Sequence, residues 1–274
     1  MRLARALCYA CVVFLCSTCL SAQQPAATTA IASPSAAALV QRDPQAVAII
    51  ERSLAALGGA SQIGQIADCK VEVQVQAPPG SSASSGTAVY KFAGGEYRAD
   101  STTAAGTQTL ASGHGKPFAV ANGTTKGIPP HVMRAAFSPT VAAIRLLNDS
   151  NDANYSFRYK GTGSLGSAQV SIVEISSQAT WLDAMVSPQT WYFDSGSGLP
   201  LRIEYWAPDI KNPRHHVECA ADLSEYRVVS GVEFPFQFTT SVNGAPFKTM
   251  SVTSVQTNTG ILPSAFDATT GGAQ

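Results

Sequence analysis

Val232, Phe234, Phe236 and Phe238 alternate with Glu233, Pro235, Gln237 and Thr239. Successive side chains of a strand point to opposite faces, so this period of two lines three phenylalanines along one face of a sheet. The same period governs most of the stretch from Trp191 to Phe266. Residues 191–194 and 201–206 flank a tight turn, Ser195-Gly196-Ser197-Gly198, and read as a hairpin. Longer strands follow at 217–229, 232–240 and 247–256. A chain patterned in this way is bound to form a broad antiparallel sheet with one apolar face.

Upstream the pattern starts as a helix. Asp43 suits the N-cap and Pro44 the first helical position. Val47, Ile50, Leu54 and Leu57 recur at helical spacing, and Gly58-Gly59 ends the run. From Cys69 the period becomes two. Val71, Val73 and Val75 share a face, as do Ala88, Tyr90 and Phe92, and Gly94-Gly95 turns the chain into a strand at 96–100. Short strands are expected at 107–112 and 117–121. Residues 129–149 read as a helix in two pieces, broken at Ser138-Pro139, with Val141, Ile144, Arg145 and Leu147 on one side of the second. Strands resume with Tyr155, Phe157 and Tyr159 and with 167–175, before a loop that holds Trp181 and Met185.

These elements predict one mainly β domain over 43–267: a curved antiparallel sheet of about eleven strands, a half-barrel, lidded by the N-terminal helix and the mid-chain helical insertion. A sheet that wide curls. Two helices do not fill its inner face, so an apolar cavity is expected between sheet and helices. Its candidate lining is Tyr90, Phe92, Phe157, Trp191 and Phe193, together with Ile203, Tyr205, Phe234, Phe236 and Phe238. Any one of these also serves as ordinary core, where a large buried side chain contributes about 1.5–3 kcal/mol. On the other face, Tyr192 and Trp206 form a candidate apolar patch, and Pro235 suits an edge strand.

The first residues read as an export signal. Arg2 and Arg5 precede a mostly apolar run at 7–20, too short to span a membrane comfortably, and Ser21-Ala22 suits cleavage. Residues 23–42 are an Ala/Ser/Thr/Pro-rich leader without an aromatic, and 268–274 a flexible tail. The expected location is the periplasm or the exterior, with no transmembrane segment in the mature chain. Of six cysteines, Cys8, Cys11, Cys16 and Cys19 leave with the signal. Cys69 and Cys219 remain, and an oxidising compartment leaves both a disulfide and two free thiols open. Loss of Arg2 and Arg5 leaves 16 basic against 18 acidic residues, a net charge of −2. That balance excludes a nucleic-acid partner.

No motif carries catalysis. Gly161-Thr162-Gly163-Ser164-Leu165-Gly166 spells a dinucleotide fingerprint, but a strand follows where that site needs a helix. His215-His216-Val217-Glu218 has adjacent histidines, which in a strand point apart, so a solvated loop is preferred to a metal site. Asn148-Asp149-Ser150-Asn151-Asp152 lacks the glycine and distal glutamate of a calcium loop and reads as a helix end. The reading is therefore no catalytic residue, no metal and no cofactor.

Four strings carry a resemblance. They are Gly95-Glu96-Tyr97-Arg98-Ala99-Asp100; Trp191-Tyr192-Phe193-Asp194 with Gly198-Leu199-Pro200-Leu201-Arg202; Tyr226-Arg227 with Gly231-Val232-Glu233-Phe234-Pro235; and Leu262-Pro263 with Phe266-Asp267. Together with the element order, they resemble the LolA/LolB lipoprotein-carrier superfamily. The resemblance implies a helix-lidded half-barrel that holds lipid or lipoprotein acyl chains without catalysis. An envelope protein partner is the alternative, served by a fully packed core and no ligand.

Overall fold

The computed structural model describes residues 40–76, 84–92, 95–103, 106–121, 123–128, 139–180, 188–208 and 215–268. Helix α1 (Pro44–Ala56) begins as its sequence predicts. The Asp43 carboxylate accepts from the Gln45 backbone N–H at 2.8 Å and proline occupies the first turn. A short helix, α2 (Ala60–Gly64), follows at once. Gly58 between them has φ +118, and a Cβ there would collide with the Gly231 carbonyl. That close approach lets the Glu233 N–H donate to the Leu57 carbonyl at 3.0 Å, which pins the end of α1 to the sheet.

Six strands come next: β1 (Asp68–Gln76), β2 (Ser84–Lys91), β3 (Glu96–Thr103), β4 (Gly106–Gly113), β5 (Lys116–Ala121) and β6 (Thr124–Gly127). A 3-10 turn (Pro139–Val141) leads into helix α3 (Ala142–Asn151). Seven strands complete the sheet: β7 (Tyr155–Leu165), β8 (Ala168–Ser177), β9 (Gln189–Asp194), β10 (Pro200–Pro208), β11 (His216–Val229), β12 (Val232–Val242) and β13 (Ala245–Thr257). A second 3-10 turn spans Pro263–Phe266. The expected first helical piece at 129–138, the Pro78-Pro79-Gly80 turn and the Trp181 loop lie outside the described residues.

All thirteen strands among the described residues belong to one open sheet, in the order β6-β5-β4-β3-β2-β1-β13-β12-β11-β10-β9-β8-β7. The count exceeds the expected eleven chiefly because β6, Thr-Thr-Lys-Gly, is exposed throughout and shows no alternation. Every neighbour in the sheet is also a neighbour in sequence except β1 and β13. The chain therefore starts mid-sheet, works out to one edge at β6, crosses to the opposite edge at β7, and returns. The crossing segment carries α3, which is why the helices share one face.

That face is unevenly covered. Helix α1 lies on β7 and β8, while α3 and its leading 3-10 turn lie on β12 and against α1 and α2. Below them sits the main core, with Phe157, Trp191, Phe193, Ile203 and Phe234 all 2 % exposed or less. The edge strand β7 is partly capped, since Arg42 forms a parallel bridge to Phe157. The Arg42 guanidinium stacks 4.8 Å over the Phe157 ring and donates to the Ser150 and Asp152 carbonyls at the end of α3. Donors placed there satisfy orphan helix carbonyls.

The opposite face of β2–β5 carries a smaller core. Val89, Ala111, Phe118 and Phe266 are buried there, under the C-terminal 3-10 turn. Arg98 is 3 % exposed and makes two bonds to the Asp100 carboxylate, at 2.8 and 3.0 Å, and a longer one to the Ala265 carbonyl. Further along, the same face is a solvated charge ladder in which Tyr192 donates to Glu204 and Arg202 pairs with Asp222.

One sequence expectation, the edge position of Pro235, is corrected, and of the two alternatives left open for the cysteines the structure has free thiols. Pro235 lies on a central strand, opposite Tyr226 of β11. The β12–β13 ladder begins only at Gln237, so the missing proline N–H falls where β12 lacks a partner strand on that side. Cys69 and Cys219 are free. Cys69 faces Thr257 of β13, whereas Cys219 faces Val242 of β12, itself opposite Ala245 of β13. Three strand spacings and some twelve residues of rise, at about 3.3 Å each, separate them along the sheet. A bridge needs Cα atoms within roughly 4.4–6.8 Å.

Candidate functional site

Beside the described helices, the same face of the sheet holds a cavity of about 200 Å³ that opens to solvent. Its walls come from β4, β3, β2, β1, β13, β12, β11 and β10, eight strands in a row, closed on one side by Pro139 and Thr140 of the 3-10 turn. Laid flat, eight strands at about 4.8 Å spacing would span on the order of 34 Å. Side chains from all of them meet around one small cavity, so this part of the sheet is strongly curled.

The lining is largely apolar. Val71, Val73 and Val75 form a β1 stripe, and Ala88 and Tyr90 continue it on β2. Tyr97, Ala99 and Leu110 close one side, and Tyr205, Ala207, Phe238, Phe247 and Met250 the other. Thr87, Ser101, Thr240, Ser241 and Cys219 interrupt it with small polar groups. Asp100 also borders the space, but both of its carboxylate oxygens are held by Arg98 and Thr109. Lys248 borders it at the end nearest the exposed β12–β13 hairpin tip, with its ammonium 5.7 Å from the Phe247 ring centre. A few polar groups set in an apolar concavity are the usual make-up of a small-molecule site.

Burial controls the titratable groups here. It pushes the Cys219 thiol up to about 11, with the Lys248 ammonium pulling the other way. Burial raises the Tyr205 hydroxyl as well. Neither group is therefore an ionised nucleophile near neutral pH. Cys69 lies deeper, and burial followed by the neighbouring Asp68 charge lifts it to about 12.

Of the ten aromatic and aliphatic residues expected to line the cavity, Tyr90, Tyr205 and Phe238 do. Phe92 packs against the main core and stacks on Tyr90 at 6.2 Å. Phe157, Trp191, Phe193, Ile203, Phe234 and Phe236 are buried in the main core, outside the lining. The Trp191 indole stacks on Phe193 at 5.9 Å and donates to the Gln189 amide at 3.0 Å. Arg227 covers the Phe236 ring at 4.5 Å. The cavity residues not anticipated are the β1 valines, Tyr97, Leu110, Phe247 and Met250. The valine alternation was visible in sequence, but its place in the centre of the sheet was not.

The other motifs carry no site. Residues 161–165 belong to β7, where Gly161 (φ +117) marks a register shift, and the turn follows at Gly166. Among the described residues, no three His, Cys, Asp or Glu side chains cluster in a way that could hold a metal. Among the described residues the large exposed hydrophobics are Val40, Trp206, Val228 and Leu262, each from a different part of the fold, and Tyr192 is tied to Glu204.

Comparison with solved structures places this architecture. A DUF1329 family protein of Desulfovibrio piger matches with a TM-score of 0.54 at 14 % identity, over 81 % of this chain and 96 % of its own. A LolA superfamily protein of Nitrosomonas europaea matches at 0.53 and 10 %, over 81 % and 97 %. The chain has the LolA-type fold. A putative outer membrane lipoprotein-sorting protein domain of Vibrio parahaemolyticus gives 0.53 at 11 %, over 81 % and 95 %. No family model matches the sequence, and no curated protein does. The likeness thus lies in the path of the backbone. Among the described residues, no helix is long and apolar enough to cross a membrane.

Proposed function

We propose that this protein is an exported, non-enzymatic carrier or sensor that takes an acyl chain into the cavity beside β1. The cavity itself carries the reading: it is an apolar, solvent-connected space on a stretch of sheet beyond the contacts of the described helices. Two structures of the same fold support the direction, because one is described as lipoprotein-sorting and the other as LolA superfamily. The implied partners are lipids or the acyl chains of lipoproteins, and the implied place is the periplasm or the exterior. The small hydroxyls and neutral thiol of the lining hold and orient a ligand but supply no activated nucleophile. At about 0.8 kcal/mol per buried CH₂, chain burial gives ample affinity without any reaction.

A residue pair on one strand tests this. Val73 faces the cavity, and its neighbour Gln74 is exposed on the other face. The protein is titrated with an alkyl probe whose fluorescence rises on leaving water. Val73→Glu is expected to weaken binding at least about ten-fold, since a carboxylate would lie along the chain path. Gln74→Glu is expected to bind like the wild type. Equal binding by both folded variants would remove the cavity from the account.

A further inference from the structure

One wall of the cavity tapers. On β2 its inward positions read Gly86, Ala88 and Tyr90, and on β3 they read Ser101, Ala99 and Tyr97. Register sets these side by side: Gly86 lies opposite Ser101, Ala88 opposite Ala99, and Tyr90 opposite Tyr97. On the other side of β2, Val73 and Val71 of β1 face Gly86 and Ala88. Three rows therefore cross the wall, and side-chain size rises in the same direction along both strands. Successive rows are two residues apart, so about 13 Å of strand separates the first row from the tyrosines.

Strand β13 fixes the direction of the taper. Val75, beyond the first row, lies opposite Met250, toward the β12–β13 tip where residues 243–246 are exposed. The tyrosine row continues to Cys69, which lies opposite Thr257 at the other end of β13. That inner end is filled. The two tyrosine rings pack at 5.1 Å, and Phe92, one step further along, stacks on Tyr90 at 6.2 Å. Tyr90 is 7 % exposed and belongs to the main core, against which Tyr97 and Phe92 also pack. A close-packed core gives a chain no room to advance past the rings.

We propose that the Tyr90–Tyr97 pair sets the length of alkyl chain that the cavity accepts, by meeting the terminal methyl of the chain. This rests on the cavity reading above. A chain lying along the rows passes glycine, serine and alanine positions before it reaches the rings. Its methyl end is the slimmest part of an amphiphile and suits the narrow end of the taper. The tyrosines act here through the bulk of their rings and not through their hydroxyls.

The test titrates saturated fatty carboxylates from octanoate to octadecanoate, below micelle-forming concentrations, into wild type, Tyr97→Phe, Tyr97→Ala and Ala99→Leu. Circular dichroism confirms that each variant is folded. In wild type, affinity is expected to rise about four-fold per added methylene up to one chain length and then to stop rising. Tyr97→Phe is expected to keep that limit. Tyr97→Ala should move it to longer chains and tighten binding of the first chains past the wild-type limit at least about ten-fold, the gain from two further methylenes. Ala99→Leu fills the wall one row earlier and should move the limit to shorter chains; it decides alone if Tyr97→Ala does not fold. A limit that stays at one length in the folded variants would overturn the inference but leave the cavity reading intact. So would a wild-type affinity that climbs without a break through octadecanoate. Failure of every chain to bind wild type would overturn both readings together.

Discussion

Filling the cavity should stabilise the protein and abolish binding at the same time. Ala88 lies on β2 opposite Ala99 and Val71, borders the cavity, and is only partly buried. In Ala88→Phe the new ring points into space that is already vacant. Fully burying such a ring contributes about 1.5–3 kcal/mol. From a partly buried position roughly half of that is expected, about 1 kcal/mol, and phenylalanine also suits a strand better than alanine. For a domain of this size, 1 kcal/mol moves Tm by about 2–4 °C. Thermal unfolding should therefore show a small rise, and titration with a dodecyl ligand should show at least about a ten-fold loss of affinity. Overpacking a filled core instead costs about 1–3 kcal/mol. A fall in Tm of that size would mean that the space beside Ala88 is not there. Unchanged affinity in a stabilised variant would mean that the ligand binds elsewhere.

Three further outcomes follow from the same geometry. Trp191→Ala should cost about 3–5 kcal/mol in urea unfolding, because the indole is fully buried on Phe193; the folded fraction should still bind an alkyl probe with wild-type affinity. Asp68 accepts from the Thr259 N–H and hydroxyl and from the Gly260 and Ile261 N–H groups. Burial raises its carboxyl, but these bonds outweigh it and hold the group below its ordinary 3.8. Its contribution is thus complete above 3.8 and is lost as pH falls through the lower folded value. Asp68→Asn should be about 1–3 kcal/mol less stable than wild type at pH 7, and paired urea titrations should show that gap closing below pH 3.8. In protein that starts after residue 22, maleimide should modify Cys219 slowly and Cys69 not at all under native conditions. An alkyl ligand should slow the Cys219 reaction further, as read by intact mass.

Local pattern made most of the strands legible in sequence. The Val71–Val75 and Val232–Phe238 alternations fixed faces correctly, since period two leaves no freedom about which side a residue takes. Strand β6 escaped because Thr-Thr-Lys-Gly is exposed on both faces, and α2 because five residues are too few to show a helical period. The division of the aromatics into core and cavity was not legible. Trp191 and Phe238 share a face, but helix packing determines what covers each, and strand order determines what lies beside it. Strand order in turn depends on one non-sequential pairing, β1 with β13. The same pairing explains the cysteines. Both lie in alternating strands, but the register between those strands, which keeps them apart, is a long-range property.

The most direct measurement is native mass spectrometry of the protein, purified without detergent from the cells that make it. The account predicts an adduct of single-chain lipid mass on the wild type that is absent from Ala88→Phe purified in the same way. A clean apo mass for wild type, unchanged after incubation with lipids extracted from the same cells, would contradict it.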